Sequence, residues 1–183
     1  MPSATGPVAH PDVEVLLPEA QIRARIAELG QAIAVAHAGR KLIVVGVLRG
    51  SFMFLADLVR AIPHPDLEVE FLAASSYQGT NSTGEVRITQ DLSRPIEGED
   101  VLLVEDIVDT GLTVHAILDH LRVRRPRSLE LCALLHKPAR SRVAIRIDYN
   151  GFTIEDRFVV GYGLDVDGRL RQLPFVGVYK GSS

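Results

Sequence analysis

Three observations predict an α/β fold: one domain with a mainly parallel, twisted sheet flanked by helices. Leu42 to Leu48, Val101 to Val104 and Leu129 to Leu135 are unbroken apolar runs, the pattern of parallel strands covered on both faces. The first two lead into helical spacing, with Leu55, Leu58, Val59 and Ile62 after one and Val114, Ile117, Leu118 and Leu121 after the other. Between strand and helix lie short turns rich in small or acidic residues, as in crossover units.

Bulk properties agree. The chain has 183 residues, 46% of them apolar, which is enough for one ordinary domain with a real core. A net charge of -3 argues against a general nucleic-acid binder. The one cysteine, Cys132, sits in an apolar run, so no disulfide framework exists and a reducing compartment fits. No apolar stretch approaches the ~20 residues of a membrane helix. The start of the chain lacks the pattern of a secretory signal, and a cytoplasmic protein with no membrane contact is expected.

In chain order, residues 1–11 read as a flexible tail and 12–183 as the domain. Pro18 opens a helix marked by Ile22, Ile26, Leu29 and Ile33, and Gly39 fits its end. After the first core strand, Arg49-Gly50-Ser51 forms a tight turn into the second helix. Leu67 to Ala74 alternates apolar residues with Glu68 and Glu70. The polar stretch Ser75 to Gly84 is long enough, without periodicity of its own, to be functional. Val86 and Ile88 are its returning arm, and Asp91 to Asp100 is a surface connection. Arg122, Arg124, Arg125 and Arg127 read as charges in a last helical turn, stopped at Pro126. Val143, Ile145 and Ile147 alternate, Asp148 to Gly151 reads as a turn, and Val176 to Tyr179 is a last strand.

The central chemistry lies in Val104-Glu105-Asp106-Ile107-Val108-Asp109-Thr110-Gly111-Leu112-Thr113. Loops at the carboxyl ends of strands in open α/β sheets hold ligands. Amides from Asp109 to Thr113 at a helix start would bind phosphate, with Thr110 and Thr113 adding hydroxyl donors and Gly111 letting the backbone approach an anion. Glu105, Asp106 and Asp109 would repel a bare phosphate. They suit sugar hydroxyls, a hard divalent cation and a proton to be removed. A helix dipole alone accounts for Asp109 but not for the Glu105-Asp106 pair.

This stretch resembles the phosphoribosyl pyrophosphate motif of the type I phosphoribosyltransferases, and the flanking segments, from about Leu42 to Tyr179, narrow it to the hypoxanthine-guanine branch. The resemblance implies a small hood built from the chain ends around the purine. It implies that Arg49 and Gly50 bind pyrophosphate, often through unusual geometry at the Leu48-Arg49 peptide, and that Ser76 and Tyr77 belong to a lid over the reaction centre. Lys137 would hydrogen-bond the 6-oxo group, Phe158 stack on the purine, and Val159 read its edge through backbone groups. Asp165 would touch magnesium and sit near the base, and Arg171 would bind pyrophosphate. The implied reaction joins hypoxanthine or guanine to 5-phosphoribosyl 1-pyrophosphate, giving a nucleoside monophosphate and pyrophosphate. Mg2+ would be held through Glu105, Asp106 and Asp165, and Asp109 would be the general base. A homo-oligomer, dimer or tetramer, is implied as well. Some relatives carry lysine where this chain has Leu112, and the spacing after Lys137 is compact, so no residue is carried over from Pro138-Ala139-Arg140. Two alternatives stand beside this reading: a phosphoribosyl-pyrophosphate-sensing regulator of nucleic acid, and a transferase for another oxopurine such as xanthine.

Overall fold

The computed structural model describes residues 10–76 and 86–181. Its elements in order are β1 (Val13–Leu17), α1 (Glu19–Ala36), β2 (Leu42–Leu48), α2 (Phe52–Ala61), β3 (Leu67–Ser76), β4 (Val86–Gln90), β5 (Asp100–Val108), α3 (Leu112–Arg122), β6 (Ser128–His136), a 3-10 turn at Pro138–Arg140, β7 (Tyr149–Thr153), β8 (Val159–Val160) and β9 (Val176–Tyr179). Six strands form one sheet in the order β4-β3-β2-β5-β6-β7, and β1-β9-β8 form a second. In the large sheet only β3 and β4 pair antiparallel. The expected α/β fold is therefore present, and the small antiparallel sheet, drawn from both ends of the chain, is the hood.

The core strands form where side chains can be buried on both faces. Ile43, Val45, Val101 and Leu103 pack beneath α3 with Ile117 and Leu121. Leu42, Val44, Leu102 and Val104 face α1 and α2, where they meet Ile22, Leu29, Ile33, Phe54 and Leu58. Pro18 precedes α1, and its carbonyl accepts from the Ile22 amide at 3.1 Å. Ile22, Ile26, Leu29 and Ile33 of α1 are all buried, which stabilises the fold by roughly 6–10 kcal/mol.

Register brings the functional ends together. Leu42 pairs with Asp100 and Asp100 with Ser128, so β2, β5 and β6 run abreast. Their carboxyl ends leave the Arg49 turn, the Asp109 loop and Lys137 along one edge, and the Lys137 amide donates to the Val108 carbonyl at 2.9 Å.

Two expectations need correcting. Asp148 to Gly151 is not a turn, because Tyr149–Thr153 pairs with β6. The Asp148 carboxylate accepts from the Leu131 amide at 2.9 Å, its own amide donates to Leu131, and this clasp starts the ladder. Val143, Ile145 and Ile147 alternate because their side chains pack inward, not because they pair in a sheet. On β3 the apolar alternation does not mean burial. Val69 and Phe71 are each 39% exposed.

Candidate active site

Gly111 makes the phosphate-type turn possible. Its φ of +81° caps α3, and a Cβ there would crowd Val143 and Ile145 at 2.9 and 3.0 Å. The Leu112 amide lies 3.4 Å from Thr110 Oγ1, and Thr113 stands in the first turn of the helix. The amides at this helix start thus face the same cleft as the acids.

Glu105 is buried and Asp106 half-buried at the end of β5. Burial, and then the charge of Asp106, hold the Glu105 carboxyl well above the ordinary carboxylate range. Burial also pushes Asp106 up to about 6, against the pull of the Ile107 amide, which donates to Oδ1 at 2.8 Å, and of Arg171. The Leu48-Arg49 peptide is cis, and Gly50 follows it. A Cβ on Gly50 would overlap the Asp106 carboxylate, and one on Gly163 would overlap the Gly50 carbonyl. The turn is thus packed against the Asp106 side chain on one side and against the hood-loop backbone on the other. Arg49 itself is exposed.

A cleft of about 230 Å³ is lined by Gly50, Glu105, Asp106, Asp109, Thr110, Gly111 and Thr113, among others. A larger groove of about 460 Å³ runs between α3 and residues 144–148 but holds none of these residues. Only the smaller one combines helix-start amides with carboxylates.

None of the remaining expected residues that the structure describes lines this cleft. Lys137 is only 6% exposed, so it is not a solvent lysine. Phe158 is 57% exposed and meets Tyr179 edge-on, with ring centres 6.2 Å apart, so it is not ordinary core. Val159 is buried in the hood sheet, where it pairs with Val178. Arg171 donates from Nη1 to the Gly163 carbonyl at 2.6 Å and lies 2.8 Å from Asp165 Oδ1, while Asp165 Oδ2 accepts from the Gly168 amide at 2.7 Å. Ser76 is the last residue of β3, and Tyr77, expected to belong to a lid, lies outside the described residues.

One residue that the sequence reading passed over stands in the site. Arg140 Nε lies 2.9 Å from Asp109 Oδ1. The signal was present in Lys137-Pro138-Ala139-Arg140: in a 3-10 turn positions three apart eclipse, so the arginine follows the lysine onto one side.

The sequence matches the phosphoribosyl transferase domain family over residues 13–167. The chain belongs to that family. Within it, this phosphoribosyltransferase is 50% identical over 168 residues to the hypoxanthine phosphoribosyltransferase of Salmonella typhimurium, covering 90% of this chain and 94% of that one. It is 51% identical over 170 residues to the hypoxanthine-guanine phosphoribosyltransferase of Mycobacterium avium, covering 89% and 83%. Among solved structures, the hypoxanthine phosphoribosyltransferase of Trypanosoma cruzi in complex with the product IMP superposes with a TM-score of 0.88 at 41% identity, covering 94% and 97%. The hypoxanthine-guanine branch is therefore the one this phosphoribosyltransferase falls in.

Proposed function

We propose that this chain transfers the 5-phosphoribosyl group of 5-phosphoribosyl 1-pyrophosphate to hypoxanthine or guanine, giving IMP or GMP and pyrophosphate. The observation that carries the reading is the shared sheet edge. A phosphate-type helix start, an acid pair of one buried and one half-buried carboxylate, and a buried lysine lie there, in a chain of this family.

In this reading the amides of residues 110–113, with the Thr110 and Thr113 hydroxyls, hold the 5-phosphate. Arg49, Gly50 and Arg171 receive the pyrophosphate. Asp109 takes the purine N7 proton as N9 attacks the anomeric carbon and the bond to pyrophosphate breaks. The Lys137 ammonium donates to the 6-oxo oxygen and supports negative charge that moves there, while an amino group at that position would present a like donor. Phe158 offers its exposed ring to the base, and Val159 reads the purine edge through its backbone. Ser76 and Tyr77 belong to the lid that excludes water.

Magnesium fits the donor set. Two desolvated carboxylates at one strand end suit a hard dication, which neutralises their mutual repulsion and takes its other ligands from water and substrate oxygens. Among the described residues no three acidic, histidine or cysteine side chains converge as a metal cage. Glu105 and Asp106 would hold it together with the ribose hydroxyls, and Asp165, paired with Arg171 at 2.8 Å and not converging with the other two, would be an outer contact. Bound there, the ion would supply charge neutralisation of the leaving group.

Residues 12–183 are proposed as the catalytic unit, with 1–11 dispensable. The single buried thiol supports a reducing, cytoplasmic setting. Self-association as a dimer or tetramer is supported by the partly exposed apolar side chains Val69 and Phe71 on β3. A nucleic-acid role loses its basis, because each arginine of the basic cluster already has a carboxylate: Arg122 with Asp119, Arg124 with Asp91, Arg125 with Glu97 and Arg127 with Asp100.

The test is turnover of hypoxanthine, guanine, xanthine and adenine at fixed phosphoribosyl pyrophosphate and magnesium. Nucleotide from hypoxanthine and guanine but not adenine is expected. Preference for adenine would remove Lys137 from its role, and preference for xanthine would favour the other-oxopurine alternative.

A further inference from the structure

We propose that Arg140 is a positioning residue for Asp109, anchored by Asp156, so that one carboxylate oxygen is held and the other is left for the proton. This rests on the reading of Asp109 as the general base.

Asp109 Oδ1 is sealed from solvent and receives no well-directed hydrogen bond. The group that compensates it is the Arg140 guanidinium, with Nε at 2.9 Å. The side chain as a whole is 36% exposed and lines the cleft, and with Oδ1 sealed, Oδ2 is the carboxylate oxygen left to it. A carboxyl group turns easily about its last bond, where the energy wells are broad. A fixed cation on one oxygen removes that freedom, and a base must lie within about 3 Å of the proton it takes. Arginine suits the task because its guanidinium stays charged and presents a rigid planar fork.

The guanidinium is itself held. Its Nη1 lies 3.5 Å from Asp156 Oδ1, and the same oxygen lies 3.9 Å from Lys137 Nζ. Asp109, Arg140, Asp156 and Lys137 therefore alternate in charge along a line from the proposed base to the residue proposed to read the 6-oxo group. The backbone moves with them. The Arg140 amide donates to the Lys137 carbonyl at 3.2 Å, and the Arg142 amide donates to the Thr110 carbonyl at 2.9 Å. The 3-10 turn is thus stapled to the phosphate loop, and a shift in either moves both Arg140 and Asp109.

A residue that acts through Asp109 has no effect once Asp109 is gone, and a double-mutant cycle reads this directly. Single-turnover rates of IMP formation are compared for wild type, Arg140→Ala, Asp109→Ala and the double variant, because slow product release can mask chemistry in kcat. The expected result is a loss of about ten-fold for Arg140→Ala in the wild-type background and under about two-fold in the Asp109→Ala background, with KM for phosphoribosyl pyrophosphate changed by less than about two-fold. Asp156→Asn, which leaves both Asp109 and Arg140 in place, lowers the same rate by about three-fold and is likewise silent without Asp109. Equal losses in both backgrounds, or no loss at Arg140, overturn the proposal. If Arg140→Ala melts early, the cycle is run with Arg140→Lys, which keeps the charge but not the fork, and the same comparison decides. A wild-type protein that makes no nucleotide from any oxopurine overturns the functional reading along with this one. An active wild type with additive losses overturns this one alone.

Discussion

At the scale of single residues, three carboxylates in one loop are given different work by their surroundings. Asp109 sits at the cleft with a cation on one oxygen, whereas Glu105 and Asp106 are desolvated together. Asp109→Asn keeps the shape and removes the proposed base. It is expected to cut turnover by roughly two powers of ten while substrate binding stays near normal, as steady-state kinetics would show. Asp106→Asn separates function from stability. Burial raises the wild-type carboxyl to about 6, so between roughly pH 4 and 6 the folded chain holds a proton that the unfolded chain, with a pKa of ~3.9, has released. Stability of the metal-free protein therefore falls as pH rises through that window. The variant loses the share of this slope that comes from Asp106, while Glu105 keeps its own. It should melt a few degrees higher at about pH 8, of order 1 kcal/mol, with little difference near pH 4, while losing activity. A lower melting temperature at pH 8 would show that the Asp106 carboxylate is not a source of strain. The acids were legible in the sequence because a pair of carboxylates at a strand end has no ordinary structural use. Arg140 was not, because a surface arginine near a proline has many.

At the scale of elements, the strand-turn-helix units carry the site, and glycine decides how closely they meet. Gly50→Ala places a methyl group against the Asp106 carboxylate, and the backbone of the turn must move to accept it. Loss of most activity is expected through a raised KM for phosphoribosyl pyrophosphate, with circular dichroism and melting near wild type because the turn lies outside the helices and strands. An unchanged KM would mean that the turn does not carry the pyrophosphate. The buried strands were readable from sequence, since burial on both faces leaves a continuous apolar run. β1 escaped because Val13 to Leu17 is short and mostly exposed, held by its pairing with β9 and not by its own pattern. β7 escaped because Tyr149-Asn150-Gly151 reads as a turn until the neighbouring strand and the Asp148 clasp are known.

At the scale of the whole molecule, the two ends of the parallel strands do different jobs. Opposite the cleft, Asp100 is 2% exposed in its side chain, with Arg127 Nε at 2.8 Å, Arg40 Nε at 2.6 Å, the Ser128 hydroxyl at 2.8 Å and buried His37 at 3.4 Å, whose other ring nitrogen lies 3.1 Å from Glu130. The Arg127 contact first, and then Arg40, Ser128 and His37, hold the Asp100 carboxyl far below the usual range. A depressed carboxylate contributes its full stability above the unfolded value of ~3.9 and loses it as the pH drops below that. Asp100→Asn should therefore cost about 2–3 kcal/mol at neutral pH, less near pH 3, with turnover per folded molecule preserved. Denaturant melts at the two pH values check this, and equal costs at both would deny the charge its part. Size-exclusion chromatography with light scattering tests self-association: Phe71→Arg should shift a dimer or tetramer toward monomer if this β3 face is the contact.

The meeting of Gly163 with the carbonyl of Gly50 has a consequence for redesign. Main chain rests on main chain there, so the joint has no side chain to trim or enlarge and no slack to trade. Attempts to retune which base this scaffold accepts will have to work elsewhere, at the proposed base contacts Phe158 and Lys137 and their supports. The hinge between roof and floor admits no new atom.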